Sequence, residues 1–296
     1  MSIPEADLTT MAQIGAQVTS KDTYSTVRRA LESEYAGYFD KKFKIFLQGS
    51  YGNDTNIFKE SDVDVVIRLD SIFTYDINNL PDDQKAVFQS VHAAAVYTHK
   101  HFREHVLEVL MDRFEDDVVP GTKAVMIKPF HNRRKTDVLI ATQHRKYSSF
   151  YGLGNDAQIT GISFQKLDGS RVVNYPGQHR ENLVKKNQAT SEWFKHIIRI
   201  WKNARQQMID AKMIDAGVAP SYYIEGILYN APNNLYGTSY ENTMVNVLNW
   251  ILEADRSSFL CANEQYLLLD GNADVTWNSQ DCDAYLNGLV ELWKSW

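Results

Sequence analysis

The feature that most constrains this chain is a pair of aspartates two residues apart in an apolar run, Ser61-Asp62-Val63-Asp64-Val65-Val66-Ile67-Arg68-Leu69. Alternate residues of a strand share a face, so Asp62 and Asp64 project together while Val63 and Val65 face a core. Two carboxylates held that close repel unless a cation neutralises them. Just upstream, Gln48-Gly49-Ser50-Tyr51-Gly52-Asn53-Asp54 supplies a Gly-Ser turn and a polar loop, and turn N–H groups suit an anion. A hard-metal site beside a phosphate-binding turn implies nucleotidyl transfer.

Such chemistry normally wants a third carboxylate, because magnesium prefers oxygen ligands to imidazole or thiolate. Asp137 is the candidate: it starts the apolar run Val138-Leu139-Ile140, which places a lone acid at a strand end. Taken separately, Asp62 and Asp64 read as an alternating exposed strand and Asp137 as a hairpin-end charge. The Gly-Ser turn before the pair and the strand aspartate after it favour the functional reading.

Bulk properties exclude several other classes. The 296 residues allow one large domain or two lobes with ample core. A net charge of −6 argues against a protein that coats nucleic acid, yet leaves room for a local basic cleft. Cys261 and Cys282 make neither a disulfide framework nor a zinc site. No apolar run is long enough to span a bilayer and the N-terminus lacks a signal pattern, so a cytoplasmic protein is expected.

The periodicity predicts one long or two broken amphipathic helices over residues 4–38, then strands at 44–47 and 63–69. A long helix is expected from Pro81 to about Phe114. Strands follow at 124–127 and 136–142 around a hairpin tip at 131–135, and near 161–165 and 171–174 around the Asp168-Gly169 turn. After Tyr175-Pro176-Gly177 the chain reads as helical: 179–187, 191–211, 221–229, 241–254 and 281–296. The expected organisation is a nucleotidyltransferase core over residues 1–178 and a helical lobe over 179–296, with the active site in the cleft between them. The spacing of His101 and His105 suits zinc, but without Cys or acidic partners an ordinary helix face is the better reading.

Gly49-Ser50, Asp62-x-Asp64 and Asp137 together resemble the signature of polymerase-β-like nucleotidyltransferases. The blocks Val172-Val173-Asn174-Tyr175-Pro176, Trp201-Lys202-Asn203-Ala204-Arg205 and Ala219-Pro220-Ser221-Tyr222-Tyr223-Ile224-Glu225 narrow this further. They resemble the CdnE-like branch of the bacterial CD-NTases (cGAS/DncV-like nucleotidyltransferases), which make cyclic oligonucleotide signals in antiphage defence. The resemblance covers nearly the whole chain. It implies an α+β fold: a polymerase-β-like core with a mixed sheet and long N-terminal helix, and a C-terminal helical lobe.

It also implies roles. Gln48, Gly49 and Ser50 would hold the triphosphate, and Asp62 and Asp64 would bridge two Mg2+ ions, with Mn2+ as a substitute. Asp137 would serve the attacking 3′-hydroxyl. Lys202 and Ser221 match positions that contact the β- and γ-phosphates, and Tyr222 matches a base-stacking aromatic. Without the family, Lys202 reads as a solvated charge and Tyr222 as core. Asn174 matches a position associated with uracil: a carboxamide offers the donor and acceptor that uracil needs. Its other reading is a turn cap before Tyr175-Pro176. The expected substrates are nucleoside triphosphates, UTP first and ATP second. The expected product is cyclic di-UMP, then cyclic UMP-AMP, read by a downstream effector, without zinc, membrane or nucleic-acid polymer. The alternatives are linear nucleotide addition to RNA or protein, whose products have phosphatase-sensitive ends, and a non-catalytic nucleotide or RNA sensor, against which the full set of acids weighs.

Overall fold

The computed structural model describes all residues except Met1, Ala16, Glu60, Ser61, Asn272 and Ala273. In chain order the first elements are α1 (Glu5–Met11), α2 (Val18–Leu31), β1 (Phe43–Leu47), α3 (Gly49–Asn53) and β2 (Val63–Asp76). Next come α4 (Asp82–Val91), α5 (His99–Phe114), β3 (Val118–Pro120), β4 (Val125–Ile127), β5 (Thr136–Phe150), β6 (Asp156–Gln165) and β7 (Arg171–Asn174). The chain closes with α6 (Pro176–Ala189), α7 (Trp193–Asp210), α8 (Ser221–Asn230), α9 (Tyr240–Glu253) and α10 (Ser279–Ser295).

Two compact units emerge. One comprises residues 18–48 and 62–176 and carries the seven strands found among the described residues; the other comprises 1–17, 49–61 and 177–296 and is helical. The sequence reading divides the chain once, after residue 178, whereas the helical unit takes residues 1–17 and 49–61 as well as 177–296. Of the one long or two broken helices expected over residues 4–38, the broken pair forms: α1 and α2, which belong to different units.

In the sheet unit the strand order is β1-β2-β5-β4-β3, with β6 joined to β5 and β7 to β6. Among the described residues only the β2–β5 pair is parallel, and its register sets Asp64 beside Asp137. Val63, Val65, Val66 and Ile67 are fully buried, which pins that register because a one-residue slip would turn aspartates inward. Beyond Leu69 a bulge lets β2 and β5 run on to Asp76 and Phe150, longer than the sequence pattern suggests. There α4 closes a small core of Leu80, Phe88, Tyr147 and Phe150.

The long helix expected over 81–114 is broken between Val91 and His99. Thr98 starts α5 with a capping box to His101, and the alanine-rich link before it is largely exposed, so it has no apolar face to bury.

The helical unit surrounds one core centred on Trp201, Tyr285 and Trp277, to which α1 contributes Leu8. Serine and asparagine N-caps, Ser239 and Asn278, begin α9 and α10. Cys261 and Cys282 are free thiols buried in this unit. Among the described residues, no helix is long and apolar enough to cross a membrane.

Candidate active site

In the sheet unit the strand ends gather the acids. Asp62 immediately precedes β2, and Asp64 and Asp137 are register partners across the parallel pair. The Lys135 ammonium, one residue before β5, lies 2.5 Å from Asp62 Oδ2 and 3.5 Å from Asp137 Oδ2. The Asp62 hydrogen bond raises the Lys135 pKa against partial burial, and the Asp137 charge adds to the rise. Gln48 belongs to the same place, since its backbone N–H donates to the Asp64 carbonyl at 2.9 Å.

Among the described residues, no three or more His, Cys, Asp or Glu side chains are gathered as a ready-made metal site. The donor set nevertheless fits a hard divalent ion: two of the three carboxylates already converge on one cation, and both are partly exposed. Asp62, Asp64 and Asp137 are the side chains that would hold Mg2+.

At the other edge of this unit, Asn174 ends β7 and its Oδ1 accepts from the Tyr175 N–H at 2.8 Å. This local contact engages the carboxamide oxygen with the neighbouring backbone. His101 and His105 have structural tasks: His101 caps α5, and His105 Nδ1 pairs with the Tyr97 hydroxyl at 2.9 Å.

The remaining sequence candidates lie in the helical unit. Gly49 begins α3 at φ +64°, a left-handed conformation that favours glycine, so what the sequence marks as a Gly-Ser turn and loop is the start of a short helix. Ser50 is buried, and its carbonyl accepts from the Thr55 N–H at 2.9 Å. Ser221 opens α8, and its hydroxyl accepts from Arg205 Nη1 at 3.2 Å, while the same nitrogen donates to the Ala219 carbonyl at 2.9 Å.

Lys202 is not a solvated charge. It is 0% exposed, donates to the Thr55 carbonyl at 3.0 Å and lies 3.9 Å from Glu225 Oε1. Tyr222 stacks on His179 at 4.7 Å between ring centroids, and its hydroxyl accepts from Asn263 at 2.9 Å. Burial pushes its phenol well above the usual range.

Sequence reasoning missed Lys135, His179 and Glu225. Glu225 was legible in one respect: it stands four residues after Ser221, hence on the same helix face. Lys135 stood inside a short basic run, and His179 had no pattern to mark it.

Comparison with known proteins gives a consistent result. A profile of the Second Messenger Oligonucleotide or Dinucleotide Synthetase domain matches residues 6–128. A profile of the cGAS/DncV-like nucleotidyltransferase C-terminal helical domain matches residues 181–294. The chain is 37% identical over 298 residues to the cyclic UMP-AMP synthase of Rhodothermus marinus, covering 100% of this chain and 99% of the relative. It is 33% identical over 303 residues to the cyclic nucleotide synthase CdnE01 of Staphylococcus haemolyticus, covering 100% of both. Among solved structures, the Rhodothermus marinus CdnE c-UMP-AMP synthase with Apcpp and Upnpp matches with a TM-score of 0.89 at 34% identity, over 99% of this chain and 97% of that one.

Proposed function

The chain belongs to the cGAS/DncV-like nucleotidyltransferases, on their CdnE-like branch, and from that premise we propose that it joins two nucleoside triphosphates into a uridine-containing cyclic dinucleotide. The observation that carries the reading is the register of Asp64 with Asp137 across parallel strands, with Asp62 two residues before Asp64. Three acids at one end of a strand pair would hold the hard cation that a reaction building negative charge on phosphate oxygens needs.

Bound Mg2+ would supply Lewis-acid stabilisation of the attacking and leaving oxygens. The chain's own residues do the rest. Ser50 and the amides after Gly49 bind the triphosphate, Ser221 supports it, and Tyr222 offers an aromatic surface to a base. Asp137 orients the attacking 3′-hydroxyl. The oxygen forms a bond to the α-phosphorus, the bond from that phosphorus to the bridging oxygen of pyrophosphate breaks, and the hydroxyl proton passes to water. A second round closes the ring.

The product assignment rests on Asn174 and on the relatives. A carboxamide at Asn174 offers the donor and acceptor that uracil needs, and a full-length relative named cyclic UMP-AMP synthase supports UMP-AMP, with di-UMP the other uridine product. A soluble signal of this kind would act on a separate effector in antiphage defence.

Incubation with Mg2+ and all four ribonucleoside triphosphates, each labelled in turn and followed by phosphatase and mass spectrometry, tests the reading. A phosphatase-resistant ring containing uridine is expected, and exclusively linear or purine-only products would reject it. Asp62→Asn and Asp64→Asn should each leave a folded protein and lower product by at least about a hundredfold, the scale of losing one essential electrostatic group.

A further inference from the structure

One carboxylate beneath the start of α8 joins parts of the helical unit that are far apart in sequence. Glu225 is 2% exposed. Its Oε2 accepts from Asn53 Nδ2 at 3.0 Å and pairs with His179 Nε2 at 2.7 Å. Its Oε1 accepts from Thr55 Oγ1 at 2.5 Å, with Lys202 Nζ 3.9 Å away. Asn53 is the last residue of α3, and the Thr55 N–H closes back onto the Ser50 carbonyl. The segment that carries Ser50 is thereby anchored on Glu225. On the other side, His179 lies nearly parallel to the Tyr222 ring, with 17° between the planes.

Stability alone is a poor reason for such a group. Desolvation offsets much of the attraction in a buried ion pair, and apolar replacements often do as well. What the carboxylate does contribute is geometry, since its contacts end on Asn53 and Thr55 in the segment that carries Ser50, on His179 stacked against Tyr222, and on Lys202.

We propose that Glu225 is a positioning residue for nucleotide binding. It fastens the Gly49–Thr55 segment and the Tyr222 ring into one preorganised surface, acting through Asn53, Thr55 and His179. A binding surface held in its bound shape before the ligand arrives loses less entropy on binding. The proposal rests on the reading of Ser50 and Tyr222 as nucleotide contacts.

Full-length protein is the material for the test, with thermal midpoints as the folding control. Glu225→Gln keeps the shape but turns an amide N–H toward a neighbour that is itself a donor. Thr55→Val removes one hydroxyl donor at similar volume. Calorimetry with non-hydrolysable UTP and ATP analogues gives affinity, and pyrophosphate release gives kcat and KM. Both variants should weaken analogue binding and raise KM by about tenfold, as for losing one hydrogen bond to a charged group, while kcat changes by under about threefold. The double variant should be no weaker than Glu225→Gln alone, because both cut the same connection.

Wild-type affinity and KM in either folded variant would overturn the proposal, and Thr55→Val decides if Glu225→Gln does not fold. A wild-type protein that binds the analogues but releases no pyrophosphate would instead reject the synthase reading, and the affinity series would still test Glu225.

Discussion

Lys135 and Glu225 hold charge in two different ways, and each has a measurable consequence. Lys135 is a partly exposed cation lying on two candidate metal ligands, so an incoming ion must displace it. Lys135→Met should therefore tighten Mg2+ binding, read by calorimetry with the metal alone, and an unchanged or weaker affinity would contradict that competition. Glu225 is buried. Desolvation would raise its pKa, but the His179 hydrogen bond, the Lys202 charge and the Thr55 hydroxyl bring it from the ordinary 4.5 to about 2. Its folded value lies below the unfolded one, so its contribution to stability is present above about 4.5 and fades as the pH falls toward about 2. Denaturant unfolding at pH 5 and pH 3 should show a smaller acid loss in Glu225→Gln than in wild type.

At the scale of elements, β7 depends on a close approach by β6. A Cβ at Gly161 would lie 2.6 Å from the Asn174 carbonyl oxygen and 2.9 Å from the Tyr175 ring. Gly161→Ala should push the end of β7 outward and shift base preference through Asn174 without touching the acids. Competition between labelled UTP and ATP reads this, and an unchanged product ratio in a folded variant would count against Asn174 as the base reader. The same scale explains where local patterns misled. The periodicity of residues 81–114 is helical, but nothing in an alanine-rich link specifies a packed face, so the Thr98 cap decides where α5 starts. The Gly-Ser pair was legible as a chain reversal, while its helical continuation to Asn53 is tied to Glu225, 172 residues away.

The whole molecule is assembled from interleaved segments. The helical unit takes α1 and α3 from the first quarter of the chain, and Ile3 and Leu8 are fully or almost fully buried in its core. A fragment of residues 177–296 should therefore lack a complete core. Its thermal transition should be broader and at least about 4 °C lower than that of full-length protein, the shift that corresponds to roughly 1 kcal/mol in a domain of this size. A fragment with a sharp, unshifted transition would show that the upstream segments are dispensable for folding.

By itself the sequence determined the reaction type, because paired strand aspartates, a Gly-Ser turn and a strand-end Asp137 depend on local periodicity and residue chemistry. It also marked most strands and the C-terminal helices, whose apolar patterns repeat over short windows. Tertiary structure alone decided the rest. The register that sets Asp64 beside Asp137 depends on the β2–β5 pairing, and Lys135 reaches the acids only through that pairing. The buried task of Lys202 and the convergence of Asn53, Thr55 and His179 on Glu225 are set by long-range packing, which no local window of sequence encodes.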